Sequence, residues 1–284
     1  MSSSVEQSPS GVPPIDDLSY AYFQRRVQTL TGIDLGAYKS QQMKRRLGTL
    51  LARSKTASLL EYAKELEKPD RLQQFLDFFT INVSEFFRIP DKFELLASQV
   101  LPKLIATTRE LRIWSAGCSN GAEPYSLAIL LEELAPLGRW SILATDVDRT
   151  TLARAQRGDR YTASDLRNVS ERRLTRFFER DETGYRVKDR LKERIRFQVH
   201  DLLKDPFESG FHVILCRHVV IYFTEEAKNT LYLKFADSLV DGGVLFVGGT
   251  EIISRAREFG FETMGVSFYR KIGGHAVVTG RASH

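Results

Sequence analysis

The chain has 284 residues, 42% of them hydrophobic, 27% charged and 11% aromatic, which excludes a fibrous or largely disordered protein and supports about two domains. Lys and Arg number 41 against 36 Asp and Glu, a mild net charge of +5 whose placement matters more than its size. The two cysteines, Cys118 and Cys216, are too few for a disulfide scaffold or a thiolate metal site, so no metal is expected and a reducing compartment is the natural setting. Residues 1–15 are rich in Ser, Pro and Gly without a targeting pattern, and read as a flexible lead-in. No apolar run approaches the roughly 18 residues of a membrane span, so a soluble, cytoplasmic protein without membrane insertion is expected.

Residues 16–88 read as a small helical domain. Leu18, Tyr22, Phe23, Val27 and Leu30 recur at helical spacing before Gly32, which is placed to end the first helix. Met43, Leu47, Leu50 and Leu51 repeat the pattern, then Leu59, Leu60, Ala63 and Leu66 before Pro69, then Leu72, Phe75, Leu76 and Phe79. From Ile89-Pro90 the text changes. After a helix through Leu104 come strand candidates at 111–115, 140–145, 211–215 and 244–247, separated by helices at 122–134 and 225–239. Such alternation indicates right-handed βαβ crossovers and a mostly parallel sheet over residues 89–272. Residues 267–271 offer a late antiparallel strand, and 273–284 a flexible tail. Residues 158–199 differ in character: Arg-rich helical text, then Gly184 flanked by short alternating stretches, with the runs 185–187 and 195–199 following it, suggest an inserted antiparallel β-subdomain.

Ligands of an open parallel sheet bind beyond the carboxyl ends of its strands. The first such end reads Trp114-Ser-Ala-Gly-Cys-Ser-Asn-Gly-Ala-Glu-Pro-Tyr-Ser126. Gly117 and Gly121 permit a sharp turn, but neither GxxxxGK[ST] nor GxGxxG is present. Glu123 at the helix start would repel phosphate and suits an amino group; it also fits as an acid favouring a helix N-terminus. The second strand ends at Ala144-Thr-Asp-Val-Asp148, where Asp146 is placed to accept both hydroxyls of a ribose and Asp148 fits an N-cap. An amino group, a ribose and no phosphate together suggest S-adenosylmethionine.

Three stretches then resemble the CheR family of chemotaxis receptor methyltransferases. They are Phe79-Thr-Ile-Asn-Val-Ser-Glu-Phe-Phe-Arg88, the Ser115–Ser126 loop, and Leu215-Cys-Arg-His-Val-Val-Ile-Tyr-Phe223, and the likeness runs from about Leu18 to Lys271. The resemblance implies an α/β, Rossmann-like class I S-adenosylmethionine-dependent methyltransferase with an all-α N-terminal domain and a small antiparallel β-subdomain insertion. It implies O-methylation of receptor glutamates, with S-adenosylhomocysteine as product. Asn82, Ser84 and Arg88 fall on positions lining the cofactor cleft, with Ser84 where Thr is common. Gly117, Glu123 and Asp146 fall on the cofactor loop, the acid for the methionine amino end and the acid for the ribose. Asp201 and Leu202 stand where an Asn-Leu pair borders the adenine, His218 and Val219 on an Asn-Val pair, and Tyr222 on the tyrosine near the transferred methyl. Asn120, Ala122 and His218 depart from the usual Thr, Glu and Asn. Arg88 and Tyr222 are the expected catalytic pair, Arg88 orienting the substrate carboxylate or closing over the cofactor and Tyr222 positioning the acceptor. Residue by residue, His218 also reads as a structural histidine and Tyr222 as strand-end packing, while Phe86, Phe87, Cys118 and Cys216 read as core.

From Gly36 to Leu60 there is no acid and six basic residues, and Arg167 to Arg196 carries eleven basic residues against six acids. Basic faces are ordinary solvated surface or suit nucleic acid. With the resemblance in hand, Lys44, Arg45, Arg46 and Arg53 on the second helix are expected to meet the acidic methylation helices of a chemoreceptor. The link from Phe178-Glu-Arg180 to Tyr185-Arg-Val187 is shorter than in relatives that dock a receptor pentapeptide by strand addition, so no such tether is expected to be required. A monomer is expected, with no nucleic-acid partner. The competing readings are a nucleic-acid methyltransferase on the same fold, disfavoured by the lack of an N/D-P-P-Y/F motif after residue 215, and a non-catalytic cofactor-binding module.

Overall fold

The structure is a computed structural model that describes residues 15–80, 84–249 and 251–273. Asn82, the lead-in before residue 15 and the tail beyond residue 273 lie outside the described residues. The chain divides into two compact units, one of residues 1–82 with 222–228 and one of residues 83–221 with 229–284.

The first unit is helical. Helix α1 (Asp17–Thr31) starts at Asp16, whose side chain accepts from the Ser19 N–H at 2.8 Å, and stops at Gly32, in left-handed backbone at φ 78°. Helix α2 (Ser40–Ser54) buries Met43, Leu47, Leu50 and Leu51, one stripe at helical spacing. Helix α3 (Leu59–Glu65) is capped by Ser58, and α4 (Pro69–Phe79) opens on a proline, whose missing N–H costs nothing in a first turn. Phe23, Phe75 and Tyr62 fill the centre, with Phe23 edge-on to Phe75 at 5.2 Å. A later segment returns to this unit: Tyr38 pairs with Phe223 in an isolated antiparallel bridge, and the Thr224 N–H donates to the Ala37 carbonyl at 2.9 Å.

The second unit opens with one long helix, α5 (Pro90–Leu95) running through a π-turn (Leu96–Val100) into α6 (Leu101–Thr107). The π-turn sits where Pro102 lacks an N–H and its ring would meet the carbonyl four residues back. There follow β1 (Leu111–Ala116), α7 (Ala122–Leu134), β2 (Trp140–Asp146), α8 (Arg149–Arg157), α9 (Glu171–Phe177), β3 (Phe178–Asp181), β4 (Gly184–Val187), α10 (Asp189–Lys192) and β5 (Ile195–Val199). The unit continues with β6 (Phe211–Cys216), the part of α11 (Glu225–Ser238) from residue 229 onward, β7 (Leu239–Val247), β8 (Phe261–Gly265) and β9 (Phe268–Lys271). Among the described residues seven strands form one sheet in the order β5-β2-β1-β6-β7-β9-β8. Its first five are mutually parallel and β9 is antiparallel to both neighbours. Both faces of the parallel strands are covered: Ile113, Ile142, Val213 and Phe246 are buried on one side, and Trp114, Leu143, Ile214 and Leu245 on the other.

Three sequence expectations are corrected here. The helical domain does not extend to Arg88: Phe86 and Phe87 lie in the core of the second unit, where the Phe86 N–H donates to the Asp165 carbonyl at 2.9 Å. Residues 195–199 do not belong to the insertion, because β5 pairs in parallel with β2 from Ile142↔Ile195 to Asp146↔Val199 and forms the sheet edge. The antiparallel hairpin is β3 with β4, turning at Glu182-Thr183. Gly184 is therefore not the turn residue; it admits the passing Tyr161 carbonyl, which a Cβ there would meet at 2.6 Å.

Phe86 is fully buried, with Tyr161 and Phe178 edge-on at 4.9 and 5.0 Å. Urea denaturation of Phe86→Ala is expected to show a loss of about 3–5 kcal/mol, the usual cost of emptying a phenylalanine site. Leu60→Ala, at a side chain 42% exposed, is expected to change stability by less than about 1 kcal/mol.

Candidate active site

The carboxyl ends of β1, β2, β5 and β6 bring one set of loops together. After β1 the chain turns at Gly117, in left-handed backbone at φ 85°. The N–H groups of Gly117 and Cys118 both donate to the Thr145 carbonyl at 2.8 Å, which hangs this loop on the end of β2. A Cβ at Gly117 would come within 2.5 Å of Val219 Cγ2, so the loops after β1 and β6 meet with no room for a side chain between them. Gly117 and Val219 are thus neighbours.

Asp146 closes β2 and holds the glycine loop from the other side. Its Oδ2 accepts from the Ser119 N–H at 2.8 Å and its Oδ1 from the Asp148 N–H at 3.0 Å. Burial pushes its carboxyl above the ordinary aspartate value, against these backbone bonds, which pull it down. A carboxylate has about four acceptor sites, so it can take a hydroxyl beside these backbone donors. Asp148 is the N-cap of α8, accepting from Thr150 and Thr151. The His200 N–H donates to the Asp146 carbonyl at 3.0 Å, which brings the loop carrying Asp201 and Leu202 alongside. Leu202 is buried there, and Asp201 is fixed by accepting from the Leu203 N–H at 2.9 Å.

Glu123 lies in the first turn of α7 with both oxygens engaged. Oε1 accepts from the Ser115 hydroxyl at 2.7 Å, and Oε2 pairs with Arg217 at 3.3 Å. The Arg217 side chain is 1% exposed, and its guanidinium lies 5.1 Å from the Phe93 ring centre and 4.6 Å from that of Phe246. Its other terminal nitrogen donates to the Arg88 carbonyl at 2.7 Å. Ser84 joins the same face: its carbonyl accepts from the Asn120 side chain at 3.4 Å.

His218 follows Arg217 in left-handed backbone, φ 62°, a region where Asn is at ease and His less so. Its N–H donates to Glu251 Oε2 at 3.3 Å, and the same oxygen accepts from the Gly248 N–H. Burial, and then the charges of Arg88 and Arg217, push the imidazole down to about 4, so it is neutral at pH 7. Burial pushes the Glu251 carboxyl up. Cys118 and Cys216 are buried thiols raised well above their ordinary value, chiefly by burial, which suits packing and not nucleophilic attack.

The structure therefore gathers Ser84, Arg88, Gly117, Glu123, Asp146, Asp201, Leu202, His218 and Val219 in one unit. Tyr222 belongs to the helical unit, where its carbonyl accepts from the Lys39 N–H at 3.0 Å and its ring lies 5.7 Å from the Arg46 guanidinium. The four basic residues of α2 are unequal. Lys44 pairs with Asp17 at 2.5 Å, and Arg46 donates to the Phe78 and Phe79 carbonyls, capping the end of α4. Arg45 and Arg53 are exposed. Sequence reasoning missed Arg217, Ser115 and Glu251 as parts of the site. Arg217 was in view, inside the Leu215–Phe223 stretch, but a charge after an apolar strand ordinarily marks a surface end.

Comparison with known proteins accounts for both units. Residues 18–80 match the model for the CheR methyltransferase all-alpha domain, and residues 82–269 that for the CheR methyltransferase SAM binding domain. The chain is 44% identical to the chemotaxis protein methyltransferase of Listeria monocytogenes over 89% of this chain and 97% of that one. The counterpart in Listeria innocua is 43% identical over the same shares. Chemotaxis protein methyltransferase 1 of Pseudomonas aeruginosa is 33% identical over 83% of this chain and 90% of that one.

A histidine at about 4 when folded and near its ordinary 6.5 when unfolded lets the unfolded chain take up a proton first as pH falls. Stability should decline between about pH 6.5 and 4 by this route. His218→Asn is expected to be less sensitive to acid across that window, as read from urea midpoints at pH 4, 5, 6 and 7. Equal slopes for the two proteins would contradict the depressed imidazole.

Proposed function

Because the chain belongs to the CheR methyltransferase family, whose S-adenosylmethionine-binding domain it contains, we propose that it methylates glutamate side chains on the cytoplasmic helices of chemoreceptors, giving methyl esters. One observation carries this reading: the likeness to chemotaxis protein methyltransferases spans the all-alpha domain as well as the cofactor domain. The part that would meet the acceptor is therefore as family-like as the part that holds the methyl donor.

The residues at the strand ends fit that donor. Glu123, anchored by Ser115 and Arg217, offers its remaining lone pairs to an amino group, and Asp146 offers its remaining acceptor capacity to a ribose. The close pass of Gly117 against Val219 leaves a backbone surface that a cofactor can lie on. Leu202 and Asp201 would border the adenine, and Ser84, Asn82, His218 and Val219 would complete the pocket. When bound, S-adenosylmethionine supplies an electrophilic methyl group; the glutamate oxygen forms the new C–O bond as the C–S bond breaks and its electron pair stays on sulfur.

A glutamate acceptor, ordinarily near 4.3, is already ionised at neutral pH, so the site needs no general base. Its task is alignment and exclusion of water, because opposite charges are annihilated as the reaction proceeds. In this reading Arg88 orients the substrate carboxylate and Tyr222 positions the acceptor. Arg45 and Arg53, exposed on an acid-free stretch, steer the acidic receptor helices. The two-residue turn of the β3–β4 hairpin supports a receptor engaged without a C-terminal pentapeptide. The reaction would take place in the cytoplasm; among the described residues no helix is long and apolar enough to cross a membrane.

Incubation with methyl-labelled S-adenosylmethionine and a receptor cytoplasmic fragment should give base-labile label on the receptor. Label appearing on RNA instead, or none despite cofactor binding, would overturn the reading. Arg88→Ala and Tyr222→Phe should each lower kcat at least about tenfold, the scale of one lost orienting contact. Near-wild-type rates in both would remove their catalytic assignment. Arg45→Glu with Arg53→Glu should raise KM for the receptor fragment several-fold, more at low salt than at high salt, with S-adenosylhomocysteine affinity unchanged.

A further inference from the structure

Arg88 lies between two residues held in backbone that neither prefers: Phe87 at φ 52° and Ile89 at φ 62°. Left-handed backbone is unfavourable for a bulky aromatic and more so for a β-branched side chain, and it persists only where surrounding contacts over-determine it. Phe87 is fixed by its N–H donating to the Ser126 hydroxyl at 2.9 Å and by burial of its ring. At Arg88 itself the backbone carbonyl receives the Arg217 guanidinium at 2.7 Å.

The same guanidinium holds Glu123 at 3.3 Å. It is buried between two phenylalanine rings, so water offers it little alternative partnership. One planar group thus joins the acid at the start of α7 to the strained turn that carries Arg88. A lysine could not do this: its single ammonium is a point charge, without the fixed fork that reaches two acceptors in different directions or the flat face that packs on rings.

We propose that Arg217 is a positioning residue that couples occupancy of Glu123 to the setting of Arg88. The inference rests on the reading above, in which Glu123 takes the amino group of the cofactor. An ammonium on Glu123 shares the carboxylate's charge with Arg217. As the guanidinium's hold on Glu123 weakens, its hydrogen bond to the Arg88 carbonyl strengthens, and the strained turn tightens when cofactor is present.

The test uses the full chain with S-adenosylhomocysteine as probe, reading affinity by calorimetry and backbone hydrogen exchange over residues 86–89. In the wild type the probe should slow exchange of that segment. Arg217→Lys should weaken probe binding about tenfold and, once saturated, fail to slow exchange there, while its melting temperature stays within a few degrees of wild type. With a receptor fragment, kcat at saturating cofactor should fall about tenfold and KM for the fragment should stay within twofold, a split that general destabilisation does not produce. Glu123→Gln matches the side chain's size and removes the ion pair, so it should be less stable, with Arg217 left without its counter-charge. Under conditions where it is folded, it too should lose the slowing at saturation. The proposal is overturned if Arg217→Lys binds the probe as wild type does, or if either saturated variant still slows exchange at 86–89. The exchange readout needs no acceptor, so a protein that binds the probe yet methylates no receptor would defeat the proposed substrate and leave this coupling to be decided on its own.

Discussion

The sheet reverses its order at β1, and the whole site depends on that reversal. From β1 the chain moves outward to β2 and β5, then returns to place β6 on β1's other side. The loops leaving β1 and β6 must therefore converge at one end of the sheet, which is where open α/β sheets bind their ligands. Here they converge so closely that any Cβ at Gly117 would strike Val219. That constraint makes the loop a backbone surface, and it sets Glu123 and Asp146 at the ends of adjacent strands. The acids are functional because of where the topology puts them, not because acids are unusual after strands.

Burying such charges is costly, and each acid is stabilised in a different way. Asp146 is held mostly by backbone N–H groups from its own strand end and from the neighbouring loop. Glu123 is held by a hydroxyl and a buried guanidinium. Removing one partner of a buried pair typically costs about 3–5 kcal/mol, because the other charge is left stranded. The apolar packing around the strands, with Phe93 and Phe246 flanking the guanidinium, has to offset that arrangement. His218 takes a third course and stays neutral, which avoids adding another positive charge beside Arg88 and Arg217.

What the sequence revealed follows from how local each signal is. Strands β1, β2, β6 and the end of β7 are apolar runs buried on both faces, and α7 is continuous apolar text, so both were legible. Strand β5 was misassigned because it lies at the sheet edge. Its residues alternate in exposure, as those of an antiparallel hairpin would, and nothing local reveals that its partner is β2. Strand β8, also at an edge, buries only Phe261 among its five residues and left no pattern to read. Arg217, Ser115 and Glu251 escaped for a related reason: their roles are made by partners far away in sequence, such as Arg217 with Glu123 and Arg88.

The basic helix shows the same distinction between composition and placement. Six positive charges without an acid between Gly36 and Leu60 look like a uniform face, yet the fold has already used part of it. Arg46 neutralises the carbonyl end of α4, a place where a cation is favoured by the helix dipole, and Lys44 is engaged by Asp17. Charges committed to intramolecular partners steer a distant helix weakly, since their fields are largely cancelled at range. Of the four that remain, Lys39 and Lys55 flank the helix, while the exposed pair Arg45 and Arg53 lies within it. These two are eight positions apart and so about two turns along its axis, with no acid in the stretch to compensate their charges. Two charges spaced along an axis give an approaching acidic helix a direction as well as an attraction, and direction is what a site aligned for one carboxylate at a time requires.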